Sequence, residues 1–309
     1  MTENKEKYIS DECGRIDEFL AKKTSSSRSQ IKKAIVSGQV YLNEKLVKKA
    51  GMMIKPNDII EVVYKEVIKE ITKGDFSSAP YDLLYEDEDL MVINKHRGIV
   101  VHPSAGHSDD TLVNFLCANY DELKNFNSSD PTRPGIVHRI DKDTSGALII
   151  AKNIKVLAQL QEMVKNHEVK REYLCIVKGR PIYSKFMVDA NIGKSGSDRK
   201  NMAVVPYDQG KSAITHFQVV KAYKTSSLLK CRLETGRTHQ IRVHLSSFNY
   251  PIIGDQTYGK STDINEFSKG QLLHAYKISF KHPTSNKEMV IYAPIDDYFK
   301  ESLKKLALK

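Results

Sequence analysis

Residues 133–152 read RPGIVHRIDKDTSGALIIAK, a stretch with a polar segment between two apolar runs. Residues 136 and 137 begin a run of β-forming residues, residues 141–146 are rich in turn formers, and residues 147–151 are apolar throughout. The pattern predicts two strands joined by a loop. Asp141 is therefore expected at the end of the first strand.

The residues of this stretch leave two interpretations of Asp141 open. A carboxylate at a strand end, beside His138 and Arg139, is placed as catalytic groups on rigid scaffolds often are. An Asp before Lys-Asp-Thr-Ser-Gly also commonly serves as a turn residue that hydrogen-bonds its own backbone. The motifs elsewhere in the chain decide between these two roles.

Five motifs occur in an order that is typical of one enzyme family. HRIDKDTSG (residues 138–146) resembles the signature HRLDxxTSG of the pseudouridine synthases of the RluA and RluD type, with Ile140 in place of the usual Leu. The other blocks are VINKHRGIVVHPS (92–104), REYLCIVKG (171–179), LETGRTHQIRVHL (233–245) and LLHA (272–275). The family usually has Pro where His96 stands. The resemblance covers about residues 85–295 and implies an RNA pseudouridine synthase.

The resemblance also implies the chemistry and the residues that carry it. The family breaks the bond between C1′ and N1 of a uridine, rotates the uracil and joins C1′ to C5, and it needs no cofactor. Asp141 matches the essential carboxylate, which either attacks the substrate or removes the ribose 2′ proton. Arg242 matches the basic residue that pairs with this carboxylate. Without the family, Arg242 would be interpreted as a surface arginine.

Three further positions match the family's substrate pocket. Tyr173 matches the aromatic residue that stacks on the extruded uracil and assists the proton loss at C5, although a core tyrosine on a strand is the alternative. Leu272 is expected at the pocket floor. Arg139 matches the side chain that enters the RNA stack when the uridine flips out, and phosphate binding is its alternative role. A short helix that carries Arg242 is expected to begin at one of residues 235, 236 or 238.

The charge of the chain favours a polyanionic partner. The 309 residues include 48 Lys and Arg against 38 Asp and Glu, which gives a formal net charge of +10. Between Lys22 and Lys55, nine basic residues accompany one acidic residue, a local net charge of +8. Nucleic acid is therefore the expected partner of this basic segment.

The basic segment resembles the S4 RNA-binding domain. Ser27-Arg28 opens a predicted amphipathic helix, and GQVYLN (residues 38–43) leads into a predicted strand, as in that domain. Arg28, Lys32 and Lys33 are expected to contact RNA, because release of counterions from phosphate is the most direct use of such a charge excess. A solvated helix face is the alternative.

Shifts in composition predict two domains. An S4-like α/β module is expected over residues 1–75, a linker at about residues 64–80 and the catalytic domain over residues 81–309. Helical and β-rich segments follow one another without strict alternation, which predicts an α+β fold. The resemblance implies a mixed, largely antiparallel sheet with a central RNA cleft. Residues 193–200 and 259–270 are polar and rich in Gly and Ser, which predicts loops.

The cysteines and the N-terminus point to a reducing compartment. Cys13, Cys117, Cys175 and Cys231 are far apart, which is typical of free thiols rather than a disulfide or zinc framework. The N-terminus lacks the apolar core of a signal peptide, and no apolar run has the length of a membrane span. A cytoplasmic monomer without a metal site or membrane association is expected.

Structured RNA is the expected partner, and ribosomal RNA is favoured over transfer RNA because an S4 domain accompanies the RluD-like motifs. A basic RNA-binding protein that has lost the reaction is one alternative, but such a protein would be free to lose Asp141, Tyr173 and Arg242, and all three are present. An RNA hydrolase is another. It would need a metal or a positioned base, and His239 and His244 lack metal-ligand spacing.

Overall fold

A computed structural model describes residues 4–24, 26, 28–64, 78–104, 106–126, 130, 132–196, 198 and 201–308. The chain forms two compact units, Met1–Glu70 and Ile71–Lys309, and each buries its own hydrophobic core. Most of the segment interpreted as a linker, residues 64–80, lies outside the described residues.

The N-terminal unit combines two short helices with a small antiparallel sheet of order β1-β6-β3-β4 and a separate β2-β5 pair. Ile16, Phe19 and Leu20 share the core with Ile31 and Ile35, so the apolar spacing of both predicted helices faces inward. The elements of this unit are β1 (Asn4–Ile9), β2 (Gly14–Arg15), α1 (Ile16–Lys23), α2 (Arg28–Val36), β3 (Val40–Leu42), β4 (Lys45–Leu46), β5 (Met53–Ile54) and β6 (Ile59–Tyr64).

The second unit contains the remaining strands and helices. Its elements are β7 (Tyr81–Glu86), β8 (Leu90–Lys95), α3 (Leu112–Asn119), α4 (Asp121–Lys124), β9 (Ser145–Ala151), α5 (Ile154–Lys165), β10 (Lys170–Lys178), β11 (Lys185–Asp189), β12 (Ile192–Lys194), β13 (Met202–Val204), β14 (Ile214–Ala222), β15 (Ser226–Leu233), α6 (Gln240–Ser247), α7 (Ser261–Glu266), β16 (Leu273–Lys281), β17 (Glu288–Tyr292) and α8 (Asp297–Ala307). Among the described residues, no helix has the length and apolar character that crossing a membrane requires.

A nine-stranded sheet organises this unit in the order β11-β14-β15-β10-β16-β9-β8-β7, with β17 also paired to β16. Its pairs are antiparallel except for β9 with β16. Alternate residues of β8 lie in different clusters: Met91 and Ile93 in one core, Leu90 and Val92 in the other. The sheet is therefore covered on both faces here. The prediction of an α+β fold with a mixed, largely antiparallel sheet is confirmed.

Three local predictions were wrong. Residues 136 and 137 do not form a strand, since Ile136 makes only a single bridge to Ile150, and Asp141 consequently lies in a loop four residues before β9 rather than at a strand end. The helix that carries Arg242 begins later than predicted, at Gln240. The segment 259–270 is not a loop throughout, because it contains α7.

Gly146 lies where β9 and β16 approach each other closely. It has φ +119°, and a Cβ atom built there would lie 2.3 Å from the carbonyl oxygen of Ala275. Because the two strands pair at these residues, any side chain would force them apart. The loop that carries Asp141 ends immediately before this contact.

We expect Gly146→Ala to lower the free energy of unfolding by about 3 kcal/mol, through backbone strain and steric overlap together. Gly98→Ala is the matched control, since Gly98 has φ +83° and nothing lies within 4 Å of its added Cβ. Strain alone predicts a loss of about 1–2 kcal/mol there. Urea unfolding measures the loss of stability in each variant. Equal losses would show that the close approach of β9 to β16 adds nothing to the backbone strain.

Candidate active site

Asp141 lies in a loop that the side chain of Lys95 anchors from within the protein. The carbonyl of Asp141 accepts a hydrogen bond from the Thr144 amide at 3.1 Å, which closes a turn just before β9. Lys95 is fully buried, and its Nζ donates to the carbonyl of Lys142 at 3.0 Å and to two carbonyls of the loop after β8 at 2.8 Å. Burial, with the charge of Arg97, lowers the pKa of Lys95 to about 7.

The Asp141 carboxylate is paired with Arg242, which is itself held by a second carboxylate. Arg242 Nη1 donates to Asp141 Oδ2 at 2.9 Å. Arg242 Nε and Nη2 donate to the two oxygens of Asp255 at 2.7 and 2.9 Å, and Nη2 also reaches Thr257 Oγ1 at 3.1 Å. The guanidinium therefore forms a bidentate contact on one side and a single directed contact to Asp141 on the other.

Burial and neighbouring charges have opposite effects on the pKa values of Arg242 and Asp255. Arg242 is 5% exposed and Asp255 is fully buried, whereas the Asp141 side chain keeps 17% of its surface open. Burial disfavours the charge of Arg242, but the hydrogen bonds to Asp255 and the charge of Asp141 outweigh it and raise the pKa of the guanidinium. Burial likewise opposes the charge of Asp255, and Arg242 holds the pKa of that carboxyl below its usual value.

Tyr173 faces the same site from the middle of the sheet. It is 5% exposed and pairs with Cys231 on β15, and the register with β16 shifts between Glu172 and Leu174. Such irregularities re-aim side chains near functional sites. Burial is the main cause that raises the pKa of Tyr173 to about 12, so the phenol is neutral at physiological pH.

A cavity of about 60 Å³ joins the predicted catalytic residues. Asp141, Tyr173 and Arg242 all line it, as does Arg139. The remaining lining residues come from β10, β15, β16, the Asp141 loop, the segment that leads into α6 and the start of α6: Ile140, Thr144, Arg171, Leu233, Gly236, Arg237, Thr238, His239, Gln240, Ile241 and Leu273. Three segments that are far apart in the sequence thus meet in one pocket.

A larger cavity of about 270 Å³ is lined by Arg139 and by residues of the preceding loop, including His138. Arg139 is exposed and is shared by the two cavities. His138 is buried, and burial is the main cause that lowers its pKa to about 3. The exposed guanidinium of Arg139 is thus next to the pocket that contains Asp141.

The other predicted residues lie elsewhere. Leu272 is fully buried and does not line the cavity, where its neighbour Leu273 stands. In the N-terminal unit, Arg28 pairs with Asp17 and Glu18 at 3.1 Å, so it is engaged within the protein. Lys32 is exposed, and the side chain of Lys33 lies outside the described part of the chain.

Sequence reasoning missed Asp255 and Tyr258. Asp255 Oδ1 accepts the amides of Thr257 and Tyr258 at 2.9 and 3.0 Å, and the Tyr258 hydroxyl lies 2.9 Å from His239 Nδ1. His239 Nε2 lies 4.0 Å from Asp141 Oδ1, and burial lowers the pKa of this imidazole. The only local signal was an Asp at the start of the polar segment DQTY (residues 255–258), which is typical of a side chain that caps its own turn.

Two protein families match the chain. Residues 89–247 match the family described as RNA pseudouridylate synthase, and residues 14–60 match the S4 domain. An uncharacterized RNA pseudouridine synthase of Bacillus subtilis is 41% identical over 297 residues, which cover 94% of each chain. The ribosomal large subunit pseudouridine synthase D of Zymomonas mobilis is 40% identical over 89% of this chain and 88% of its own.

The fold agrees with these relatives. The human RNA pseudouridylate synthase domain containing 4 superimposes with a TM-score of 0.58 at 24% identity, over 73% of this chain and 92% of its own. The family match includes the loop of Asp141 and the helix of Arg242, and the identity to the bacterial relatives extends over nearly the whole chain. The chain therefore belongs to the RNA pseudouridylate synthase family, with an S4 domain near its N-terminus.

Proposed function

We propose that this enzyme isomerises uridines of large-subunit ribosomal RNA and that Asp141 is its essential carboxylate. The single observation that carries the role of Asp141 is its 2.9 Å contact with a buried arginine inside a cavity that also contains Tyr173. The choice of RNA rests on relatives named ribosomal large subunit pseudouridine synthase D, which are 35–40% identical over about nine-tenths of the chain.

Arg242 supports this role by holding the Asp141 carboxylate in a fixed position. The reaction needs an anion close to the ribose and the base, in a pocket that excludes water while the base rotates. The bidentate contact to Asp255 leaves Arg242 with one direction in which to donate, toward Asp141. The Asp141 side chain is more exposed than those of Arg242 and Asp255, so its second carboxylate oxygen can face the substrate.

Tyr173 is proposed to hold the uracil by stacking. Its ring comes from a rigid central strand and lines the same cavity as Asp141. A pKa of about 12 keeps the hydroxyl protonated, so it acts as a hydrogen-bond donor in the pocket rather than as an anionic base.

The N-terminal unit is proposed to raise the local concentration of the catalytic domain on a large RNA. We assign the RNA-binding module to residues 1–75 and the catalytic domain to residues 81–309. The exposed lysines 32, 45, 48, 49 and 55 supply its phosphate contacts, whereas Arg28 contributes only if it exchanges its acidic partners for RNA. A monomeric state and a cytoplasmic location stay predictions.

Mapping of pseudouridine across total RNA tests this proposal. Cells that lack the protein are complemented with the wild type or with Asp141→Asn, which keeps the size of the side chain and removes its charge. We expect defined uridines of large-subunit ribosomal RNA to stay unmodified in the deletion and to be restored by the wild type alone.

Restoration by Asp141→Asn would contradict the role of the carboxylate. Loss of pseudouridine only from transfer RNA would identify transfer RNA as the substrate instead of ribosomal RNA, and the proposed role of Asp141 would stand. Persistence of every pseudouridine in the deletion, in cells without a redundant enzyme, would contradict the proposed function.

Arg139→Ala tests whether this exposed arginine takes the place of the flipped base. Extrusion of a stacked uridine costs a few kcal/mol, so loss of the replacement should reduce kcat by roughly 10- to 100-fold. RNA affinity should stay within about threefold of the wild type, because one phosphate contact supplies a small part of the electrostatic binding free energy. Arg180→Ala, at an exposed arginine outside both cavities, is the control. A loss of affinity with unchanged kcat would instead assign Arg139 to phosphate binding.

A further inference from the structure

Arg171 is a buried arginine whose Nε atom is left unsatisfied by the part of the chain that the structure describes. It is 6% exposed, its Nε atom has no hydrogen-bond acceptor, and no carboxylate of the described residues pairs with it. Arg242, at 5% exposure, is in contrast held by two carboxylates and a hydroxyl. The two arginines are equally buried, but among the described residues carboxylates balance the charge of Arg242 and none balances that of Arg171.

The position of Arg171 directs it toward the candidate active site. Arg171 and Tyr173 are two residues apart on β10 and both are buried, so they point to the same face of the sheet. Both line the cavity that contains Asp141. A Cβ atom on Gly236 would lie 2.7 Å from Arg171 Nη1, so the guanidinium packs directly against the segment that leads into α6.

A buried cation without an acceptor costs folding free energy. Buried charges in proteins are normally paired or hydrogen-bonded, because desolvation of a lone ion is expensive. Burial accordingly lowers the pKa of Arg171. Such a group is explained when its acceptor arrives with the substrate, since active sites retain features that are unfavourable for the free protein.

The depth of Arg171 distinguishes between the acceptors that an RNA offers. Phosphates stay at the surface of the RNA, where exposed lysines and arginines can reach them. A guanidinium that is more than nine-tenths buried beside Tyr173 is accessible to the part of the nucleotide that enters the cavity, which is the base. Uracil offers the carbonyl oxygens O2 and O4 as acceptors, and Arg has only donors.

We propose that Arg171 binds a carbonyl oxygen of the flipped uracil and stabilises the ring while it is detached from the ribose. The inference rests on the proposed function of the site. When the bond between C1′ and N1 breaks, its electron pair leaves with the uracil, whose negative charge spreads onto the carbonyl oxygens. After rotation, C5 forms the new bond to C1′, the proton on C5 is lost and N1 regains a proton, with no net oxidation. A guanidinium bound to the carbonyl opposes the charge that develops in the first step.

The first test replaces Arg171 by Met, which has a similar length and no charge. We expect kcat to fall by at least about 100-fold, because the lost interaction is stronger in the transition state than in the bound substrate. KM should stay within about threefold. The melting temperature should stay equal or rise, because an uncompensated buried charge is removed. Arg180→Met, at an exposed arginine on the same chain, controls for the loss of one positive charge.

A structural role for Arg171 predicts different results. It would lower the melting temperature, and kcat would decrease only with the folded fraction. A phosphate contact would raise KM and leave kcat unchanged. Either pattern overturns the inference. If Arg171→Met fails to fold, Gly236→Ala provides a second variant, since its added methyl group displaces the guanidinium and should lower kcat while the charge is kept.

Substrates with sulfur in place of one carbonyl oxygen test the contact directly. The wild type and Arg171→Met are assayed with RNA that carries 2-thiouridine or 4-thiouridine at the modified position. Because sulfur accepts hydrogen bonds weakly, one thio substitution should slow the wild type and should have no further effect in Arg171→Met. Equal thio effects in both proteins at both positions would overturn the inference. If the wild type fails to convert the unmodified RNA, the proposed function fails instead, which separates the two outcomes.

Discussion

Arg242 can be buried only because carboxylates pair with it, and this requirement ties the catalytic loop to the rest of the domain. Asp255 satisfies two of its nitrogens and Asp141 a third. Loss of one partner from a buried pair commonly costs about 3–5 kcal/mol, because a charge is left uncompensated. The same contacts that keep the fold stable therefore hold the candidate catalytic carboxylate in one position.

The scaffold fixes the Asp141 loop on both sides. Lys95 binds the carbonyl of Lys142, and Arg97 donates to the carbonyl of Asp143. Immediately after the loop, Gly146 allows β9 to approach β16 closely. Tyr173 stands on β10, on the other side of β16, so the aromatic ring and the carboxylate are carried by neighbouring parts of one sheet. Rigid support of this kind is what placement of a reacting group requires.

The sequence predicted those parts of the site that stand in short, ordered motifs. Asp141, Tyr173 and Arg242 were named from three blocks and lie more than 30 positions apart from one another, and all three line one cavity. Asp255 was missed because its importance depends on contact with Arg242, which no local pattern encodes. Arg171 was part of a quoted motif, but its burial, with an Nε atom that the described residues leave unsatisfied, becomes visible only when its neighbours in space are known.

Secondary structure was predicted well where apolar residues recur with a regular period. It was predicted poorly where the apolar residues of a loop are buried in the core. The helices of the N-terminal unit and the long strands followed their apolar spacing. Ile136 and Val137 are buried as a strand would be, yet they lie in irregular backbone, because burial alone does not require a ladder of hydrogen bonds. The S4 module was recognised from its motif. The positive charge that it offers to RNA was overestimated from the sequence, because Lys22, Lys23 and Arg28 contact acidic residues that precede them in the chain.

The single-turnover rate of Arg242→Lys tests the central claim most directly, with RNA affinity and melting temperature measured beside it. Lysine keeps the positive charge but cannot make the bidentate contact to Asp255 and the directed contact to Asp141 together. If the geometry of the guanidinium positions Asp141, the rate should fall by about 100-fold in protein that stays folded with a lower melting temperature, and RNA affinity should be retained. A rate within about threefold of the wild type would show that a nearby positive charge is sufficient, and would contradict the account.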